Sequence, residues 1–248
     1  MPAYSKTYAA QFPILEAAGQ ERLRQARVHA VGAGRIGAML ALNLAAAGVG
    51  YVSSNDPQQV EPDNLNSCVF LPADIGEEKV RVLEQRLESR QNFEFQPVPL
   101  PIEANEVDEY ISAANLVVCC ANTVVARVAT EQKAFRWGKP SMQVAAFDGR
   151  DCLGGLIAVR LTENPWSACA RCCIDPSQNW TISGALLSTV TSALAAIAAN
   201  MAVAILSGVR TPVFRDKNVF YVDLETYGIE ALAVQKSAEC PLCGSVQQ

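Results

Sequence analysis

The sequence predicts an α/β protein built on a doubly wound, mainly parallel, Rossmann-like sheet. Short apolar runs alternate with amphipathic helical stretches through the first 150 residues, and a glycine-rich turn joins the first run to a helix. Half of the 248 residues are apolar and 18% are charged, which is enough apolar material for a full core. We therefore expect helices on both faces of one sheet.

The first half of the chain supplies the alternation. Strands are predicted at 27–31, 51–55, 93–98, 115–120 and 141–147. Helices are predicted at 11–25, from the glycine turn to the glycine at 48, and at 75–90, 107–113 and 124–137. The stretch 57–74 is rich in proline and asparagine, which predicts a loop.

The second half changes character after Gly149. A strand at 156–161, a long apolar helix at 184–208, and antiparallel strands at 219–224 and 229–234 are predicted. We divide the chain into 1–150 and a C-terminal part, 151–248, that continues the same domain.

Composition and charge exclude several classes of partner. The net charge of −5 argues against nucleic acid, because a phosphate-backbone binder is normally basic. The first six residues lack an apolar signal core, which predicts a cytoplasmic protein. The apolar stretch 184–208 is long enough to span a bilayer. It is rich in Ala, Ser and Thr, carries Asn200 and lacks basic flanks, so we predict a core helix or a dimer interface and no membrane span.

The glycine-rich turn predicts a nucleotide site. Gly32, Gly34 and Gly37 follow the spacing G-x-G-x-x-G between a strand and a helix, the context that makes this short pattern informative. Gly32 permits the tight turn, Gly34 lets the backbone approach a phosphate, and Gly37 lets helix and strand pack closely. Asp56 ends the next strand, where its carboxylate can accept hydrogen bonds from ribose hydroxyls. The motif by itself leaves NAD, ATP and FAD open.

The segment after Asp56 favours a triphosphate over a nicotinamide cofactor. Asn64 lies in a loop that can fold back over the nucleotide. Lys79 lies in the first turn of the next helix, where its ammonium can meet phosphate oxygens. His29, the one histidine of the sequence, falls inside the first strand and is predicted to be a core or sheet-edge residue and no catalyst. Residues 1–150 are therefore predicted to form the nucleotide-binding unit.

Four of the nine cysteines form two Cys-x-x-Cys pairs, Cys169 with Cys172 and Cys240 with Cys243. Each pair has the spacing of a zinc knuckle, and two knuckles complete a closed, structural tetrahedral site. The rival is a redox dithiol. Neither pair is predicted to open a helix after a thioredoxin-like strand, so zinc is favoured, while Cys173 leaves the register ambiguous. The remaining cysteines are predicted to be small buried hydrophobes and not nucleophiles: Cys68, Cys119, Cys120 and Cys152.

Together these motifs resemble the ThiF/MoeB/HesA family, bacterial relatives of the ubiquitin-activating enzymes. The similarity covers nearly the whole chain. It runs from Gly19-Gln20-Glu21-x-Leu23 and the glycine turn through Ala47-Gly48-Val49-Gly50, Val60-x-x-x-Asn64-Leu65-Asn66 and Asp74-Ile75-Gly76-x-x-Lys79-Val80 to both cysteine pairs.

The resemblance implies an activity and a set of ligands. Members of the family bind ATP and Mg²⁺ and adenylate a carboxylate, typically the C-terminal glycine of a ubiquitin-like sulfur carrier protein, and they usually work as homodimers. By resemblance, the glycine turn and Asp56 would hold the nucleotide, Asn64 and Lys79 would contact phosphates, and the four paired cysteines would hold a structural zinc. Arg127 falls on a position that the family often fills with arginine. Lys79, Asn122 and Arg127 are the candidate catalytic residues.

Several positions depart from the family pattern, and each departure removes charge that would face a triphosphate or its metal. Ala10 lies in the stretch that corresponds to an arginine reaching into the partner's site, and Ser67 replaces a phosphate-binding arginine. Gln58 replaces the second acid of Asp-x-Asp, and Asn122 replaces a Mg²⁺-binding aspartate. Asn122 can still offer Mg²⁺ a carbonyl oxygen, more weakly than a carboxylate.

Two further features bear on the reaction. We hypothesise that Arg35, unusual inside the glycine turn, offsets one lost arginine. Residues 179–184 contain no cysteine, where some members carry a thioester or persulfide cysteine, so a second component would take the activated acyl group.

Three functions remain open. The first is adenylation of a carrier-protein C-terminus or of a small carboxylic acid, giving an acyl-adenylate and pyrophosphate. The second is a non-catalytic, adenylation-like subunit that binds a protein or peptide partner, which the missing charges favour. The third is an NAD-dependent oxidoreductase, which the glycine motif alone permits.

Overall fold

The computed structural model describes residues 4–148, 152–173, 186–209 and 212–244. Its strands, in chain order, are β1 Arg27–Val31, β2 Tyr51–Asn55, β3 Glu94–Val98, β4 Leu116–Cys119, β5 Ser141–Ala146, β6 Gly154–Arg160, β7 Val219–Asp223 and β8 Gly228–Leu232. They form one sheet in the order β3-β2-β1-β4-β5-β6-β7-β8. Neighbours from β3 to β5 pair in parallel and neighbours from β5 to β8 pair antiparallel, which confirms the predicted fold class.

The helices cover both faces of the sheet. They are α1 Tyr4–Thr7, α2 Phe12–Gln25, α3 Arg35–Ala47, α4 Lys79–Leu87, α5 Val107–Ala113, α6 Val124–Arg136, α7 Ala170–Cys173 and α8 Ser188–Ser207. Short 3₁₀ turns occur at Ala9–Gln11, Pro62–Asn66, Pro72–Asp74 and Pro212–Arg215. The larger core lies between the sheet and α2, α3, α4 and α8, and a smaller core lies under α5 and α6.

Strand β4 shows why the sheet is buried on both sides. Leu116 and Val118 point into the larger core, and Val117 and Cys119 point into the smaller one. All four side chains are fully buried, as expected where helices cover both faces of a parallel sheet.

The predicted helix at 75–90 is too long. Helix α4 begins at Lys79 because the residues before it are held in a backbone ladder: Val60 N donates to Glu77 O (2.8 Å) and Gly76 N donates to Val60 O (3.0 Å). Gly76 has a φ of +92°, which a helix does not allow. The ladder closes the base of the loop that carries Asn64.

The division of the chain at residue 150 stays a prediction. Strand β5 pairs with β6 along six residues, so the sheet continues from the first part into the second. Residues 149–151, where the division was placed, lie outside the described residues.

Helix α8 is the one helix of the described residues that is long and apolar enough to cross a membrane by length and composition. It lies against α2, α3, β5 and β6, and its buried stripe includes Leu194, Ala198 and Ala202. Alanines at the contact let the α3 and α8 backbones approach closely, and Arg22 Nε donates to Ser207 O (2.6 Å) at the end of the helix. One side of α8 therefore packs as a core helix. Only 39% of its most apolar 18-residue stretch is buried, so its other side is largely uncovered in the single chain.

His29 lies in the centre of the sheet, as a core residue. Its Nε2 is 3.1 Å from Asn55 Oδ1 and its Nδ1 is 2.9 Å from Ser53 Oγ. Asn55 Nδ2 donates to Leu100 O, so the amide oxygen faces the ring and the network assigns the proton to Nε2. Burial lowers the pKa of His29 to about 4; the bond to Asn55 opposes the shift and the Lys133 charge adds to it.

The depressed pKa of His29 predicts a loss of stability in mild acid. Below pH 6.5 the His29 imidazole binds a proton in the unfolded chain, whereas in the folded chain it stays neutral until the pH approaches about 4. Through this group alone, the free energy of unfolding should fall by about 3 kcal/mol across that window. Urea titrations at several pH values measure the fall, with His29→Asn as the comparison. Equal pH slopes for the two proteins would contradict the assignment.

Candidate functional site

The sheet has one topological switch point, between β1 and β4. The chain runs outward from β1 through β2 to β3 on one side, and from β4 to β5 on the other. The carboxyl ends of β1 and β4 therefore open a crevice, the usual ligand position in open α/β sheets. Cys120 N donates to Val31 O (2.8 Å), and Gly32 N donates to Asn55 O (2.8 Å), so the exits of the three central strands are held together.

The glycine turn is shaped by close packing at two of its positions and by open space at the third. Gly32 has a φ of +93°, and a Cβ there would lie 3.0 Å from Ala121 N. A Cβ on Gly37 would lie 1.8 Å from Gly32 O, so only glycine lets α3 pack onto the turn. A Cβ on Gly34 would meet no described atom within 4 Å. Gly34 therefore borders free space at the start of α3.

The start of α3 is suited to an anion. Gly34 is the N-cap residue, and no side chain caps the helix. The first-turn N–H groups and the positive end of the helix dipole therefore face the open space beside Gly34.

Asp56 links the turn to the end of β2. Its Oδ2 accepts Ala33 N (2.8 Å) and its Oδ1 accepts Gln58 N (2.9 Å). The side chain is mostly buried, and these two N–H groups hold the carboxylate beside the glycine turn. Each oxygen keeps lone-pair capacity for a further donor, such as a ribose hydroxyl.

Lys79 places a buried ammonium in the same region. The residue is 5% exposed, and its Nζ donates to Gln58 Oε1 (2.9 Å). No carboxylate among the described residues forms an ion pair with it. Among the described residues, the side chain of Gln58 is the one polar partner of this ammonium. Burying a cation against a neutral amide is costly, and an anionic ligand would offset that cost.

The loop that carries Asn64 is held against α3. The contacts that hold it use the side chains of Asn64 and Arg35, both of which the sequence predicted to bind the nucleotide. Asn64 Oδ1 accepts Glu61 N (3.1 Å) and its Nδ2 donates to Asp63 Oδ1 (2.9 Å), so the side chain caps the turn Pro62–Asn66. Arg35 donates to Asp63 O (2.7 Å) and to Asn66 Oδ1. Arg35 therefore fastens the loop. Phosphate roles for Asn64 and Arg35 stay predictions, and each would require these bonds to rearrange.

The other predicted residues lie beyond β4. Asn122 is exposed just after the strand, and Arg127 donates from α6 to Val144 O (2.9 Å) on β5. Within the described ranges no hydrogen bond joins either residue to Asp56 or Lys79. Their catalytic roles stay predictions.

The replaced positions lie in different surroundings. Ser67 Oγ accepts Val69 N (3.2 Å) and turns the loop back on itself. Ala10 is exposed, beside a segment that docks on its own chain: Tyr8 OH donates to Ala45 O (3.2 Å) and Tyr4 OH to Gly48 O (2.6 Å).

Sequence reasoning missed the part that Gln58 plays. It treated Gln58 as a lost acid, whereas the structure makes it the contact of Lys79. The available signal was its position two residues after Asp56, which keeps its side chain near the same edge of the sheet.

The four paired cysteines form one cluster, with all their sulfurs within 4.8 Å of one another. The sulfur of Cys169 lies 3.9 Å from Cys172 and 3.6 Å from Cys240, and Cys172 lies 3.3 Å from Cys243. A tetrahedral zinc with bonds of about 2.3 Å holds its sulfurs about 3.8 Å apart. Cys173 lies outside the cluster, which resolves the register. The donor set therefore fits one zinc ion.

Backbone donors support the sulfurs of this cluster. Ser237 N donates to Cys172 Sγ (3.4 Å). Burial by itself would raise the pKa of Cys240, but hydrogen bonds from the backbone of Cys243 and Leu242 and from the thiols of Cys172 and Cys243 together lower the pKa to about 7. The first pair lies at a short helix, α7, but this helix does not directly follow a strand, since β6 ends at Arg160. The expectation that neither pair opens a helix after a thioredoxin-like strand is therefore not contradicted, and the four-sulfur arrangement is a further reason to favour a metal over a redox dithiol.

The remaining cysteines only partly match their prediction. Cys119 is buried, and Cys120 and Cys152 are half-buried. Burial raises the pKa of the Cys120 thiol, which makes it a poor nucleophile. Cys68 is exposed, so its prediction as a buried hydrophobe is wrong: its loop lies over the surface.

These elements offer the groups that a nucleoside carrying phosphate would need. The uncapped helix start and the Lys79 ammonium supply positive charge, and Asp56 supplies an acceptor for sugar hydroxyls.

Comparison with known proteins identifies the family. The chain matches the ThiF family over residues 4–242. It is 25% identical to Protein HesA of Nostoc sp. (strain PCC 7120 / SAG 25.82 / UTEX 2576), over 94% of this chain and 90% of that protein. It is 28% identical to the sulfur carrier protein ThiS adenylyltransferase of Escherichia coli (strain K12), over 91% of this chain and 89% of the relative.

Solved structures share the fold. The crystal structure of E. coli MccB superposes with a TM-score of 0.82 at 18% identity, covering 98% of this chain and 74% of MccB. The crevice, the motifs and the match over nearly the full chain agree, and the chain belongs to the ThiF family.

Proposed function

We propose that this protein binds ATP in the crevice at the switch point and adenylates a carboxylate. The enzyme class agrees with the family and with relatives named as adenylyltransferases. The observation that carries the proposal is the buried Lys79 ammonium, beside Asp56 and the uncapped start of α3. A carboxylate oxygen attacks the α-phosphorus, the bond from that phosphorus to the bridging oxygen breaks, and pyrophosphate leaves with the electron pair.

The chain's own groups act by position and charge. Asp56 accepts hydrogen bonds from the sugar hydroxyls and so fixes the nucleoside. The N–H groups at the start of α3 hold phosphate oxygens. Lys79 stabilises the negative charge that grows on the departing pyrophosphate. Asn122 offers a single neutral oxygen, so a Mg²⁺ ion would be held mainly by the phosphates and would supply charge neutralisation.

Two classes of carboxylate are proposed. Relatives are named as sulfur carrier protein adenylyltransferases, and E. coli MccB has been solved together with MccA. For this chain we propose either the C-terminus of a ubiquitin-like carrier protein or a small carboxylic acid. Residues 179–184 hold no cysteine and lie outside the described residues, so the acyl group would pass to a second component.

ATP–pyrophosphate exchange tests the activity. Lys79→Met should lower kcat/KM for ATP by one to two decades, because a lost charge-assisted contact costs roughly 1.5–3 kcal/mol. Arg81→Met, an exposed cation on the same helix, is the matched control and should exchange normally. Equal exchange by Lys79→Met and the control would remove Lys79 from the mechanism.

A second candidate is a non-catalytic, adenylation-like subunit that binds a protein or peptide. The uncharged residues at Gln58, Ser67 and Asn122 favour it. Calorimetry separates the two, since the enzyme binds ATP with Mg²⁺ and the subunit shows no binding. Family membership favours ATP over the NAD-dependent reading.

The glycine turn offers a matched pair of substitutions. Gly34→Ala adds a methyl group to open space and should unfold near the wild-type temperature while losing ATP binding. Gly37→Ala should be destabilised by about 2 kcal/mol or more, because its Cβ would overlap backbone. Thermal unfolding and calorimetry measure both variants. Full ATP affinity in Gly34→Ala would show that no phosphate lies there.

We further propose that the four-cysteine cluster holds a structural zinc, which would tie the C-terminal residues to α7. Elemental analysis should find one zinc per chain. Chelation or Cys172→Ser should lower the melting temperature, while Cys173→Ser should keep the metal, because Cys173 is outside the cluster. Thiols kept reduced suit the predicted cytoplasmic location. A metal-free protein of unchanged stability would exclude a structural zinc.

We also propose a homodimer. On the outer side of α8, Ile197, Met201 and Ile205 are only half-buried, and Met39 and Leu42 lie half-buried on neighbouring α3. Covering such an apolar surface is favourable. Light scattering should give twice the mass of the chain, and Ile197→Asp should give the single mass. A monomeric wild type would contradict the proposal.

A further inference from the structure

A groove lies at the outer edge of the sheet, away from the crevice. It forms where the end of α4 passes the start of the edge strand β3, and its volume is about 420 Å³. Acids and apolar rings line it together: Glu84, Gln85, Leu87, Glu88, Phe93, Glu94 and Phe95. The crevice opens at the carboxyl ends of the parallel strands, whereas the groove lies at the amino end of β3, so the two are separate.

The helix side of the groove carries negative charge that the chain leaves largely unbalanced. Glu84 and Glu88 lie one turn apart on α4, a spacing at which like charges destabilise a helix. Glu88 is also the C-cap residue, where the partial negative charge of the helix end disfavours a carboxylate. Neither Glu88 nor Glu94 forms an ion pair with any residue that the structure describes. A cation in the groove would relieve this repulsion.

The arginines of α4 do little to neutralise the groove. Arg81 pairs with Glu84 (3.2 Å), but both side chains are close to half exposed, and a solvated pair of this kind is weak. Arg86 points to the other side of the helix, where it pairs with Asp74.

The strand side of the groove supplies aromatic surface. Phe93 and Phe95 each pack against the larger core and stay half-buried. Aromatic faces attract cations and stack on planar guanidinium groups. Rings and carboxylates side by side therefore fit an organic cation with an apolar stem.

The backbone of β3 argues against an added β-strand as the occupant. Glu94 N donates to Gly50 O (3.0 Å) and Val98 O accepts Asp56 N (3.1 Å), so these residues turn their backbone toward β2. By alternation, Phe95 and Pro97 turn theirs outward, and proline has no N–H to offer. The free edge is therefore short of the donors that a further strand needs, and a side chain is the better fit.

We propose that this groove binds an arginine side chain on the surface of a partner protein. The guanidinium stacks on a phenylalanine ring and donates to the Glu88 carboxylate, while its aliphatic stem lies along the apolar floor. Lysine offers a compact, strongly hydrated ammonium without a planar fork, so arginine is preferred. The partner is recognised by charge complementarity, since the groove offers acids and rings to a group that is both cationic and planar.

NMR titration of the full chain tests the proposal, with N-acetyl-arginine amide as the probe. The backbone amide signals of Glu88 and Phe95 should shift as the probe is added. The citrulline analogue has the same shape without the charge, and it should bind about tenfold more weakly or worse, because charge-assisted hydrogen bonds are lost. The lysine analogue should bind about threefold more weakly or worse, because it cannot stack or fork.

A pair of variants separates loss of the site from loss of the fold. Glu88→Lys should abolish probe binding while keeping or raising the melting temperature, because a cation is favourable at a helix C-terminus. Glu103→Lys makes the same charge change at an exposed position beyond the other end of β3. It is the matched control and should bind the probe as the wild type does.

Three results would overturn the proposal: no shifts in the wild type, equal binding of the citrulline or lysine analogue, or undiminished binding by a folded Glu88→Lys. Signals of Glu88 that move on dilution without the probe would show that a second copy of the chain fills the groove. That result would overturn the assignment to a separate partner. Shifts that follow the predicted order, with binding lost only in Glu88→Lys, would support an arginine site.

Discussion

The crevice depends on the contact between helix α3 and the turn that precedes it. Gly37 brings the helix against the carbonyl of Gly32, and any side chain at Gly37 would overlap that backbone. Gly32 in turn lies against the chain after β4, next to Ala121. These two contacts point the uncapped start of α3 at the open space where the strand order reverses. The anion-binding potential of the site follows from this packing, because the N–H groups point where the helix points.

Around that fixed turn, the rest of the site is assembled from short hydrogen-bonded links. Asp56 is joined to Ala33 and Gln58, and Gln58 is joined to Lys79, so the end of β2 and the start of α4 form one unit. The backbone ladder between 58–60 and 76–79 holds this unit while the intervening loop closes over α3. The guanidinium of Arg35, at the start of α3, is bound to Asp63 and Asn66 of this loop and is therefore not free to meet a ligand. Positive charge at the crevice therefore depends on Lys79 and on the helix start.

The cysteine cluster serves a different part of the fold. Cys169 and Cys172 lie at α7, more than sixty residues before Cys240 and Cys243, and the four sulfurs meet after the antiparallel strands have turned the chain back. One ion there would close a long loop, and closing a long loop restricts the unfolded chain strongly. The roles that we propose for the cluster and the crevice are thus separate: the cluster would hold the C-terminal part, and the crevice would bind a ligand.

Much of the architecture was determined by the sequence alone. The alternation of apolar runs and helical stretches, the G-x-G-x-x-G turn, Asp56 at a strand end and the two Cys-x-x-Cys pairs are local patterns, and each gave its element or cluster correctly. These predictions succeed because each pattern reflects a constraint that acts within a few residues: the periodicity of a helix or strand, the geometry of a tight turn, or the spacing of two metal ligands.

Only the tertiary structure decided the remainder. The true start of α4, the binding of Arg35 to its loop, the exposure of Cys68 and the contact between Gln58 and Lys79 depend on segments distant in sequence. No local pattern records which side chain a folded neighbour will meet. The charge state of the crevice is such a case: the sequence supplies a lysine and a glutamine twenty-one positions apart, and only the ladder between their segments makes them partners.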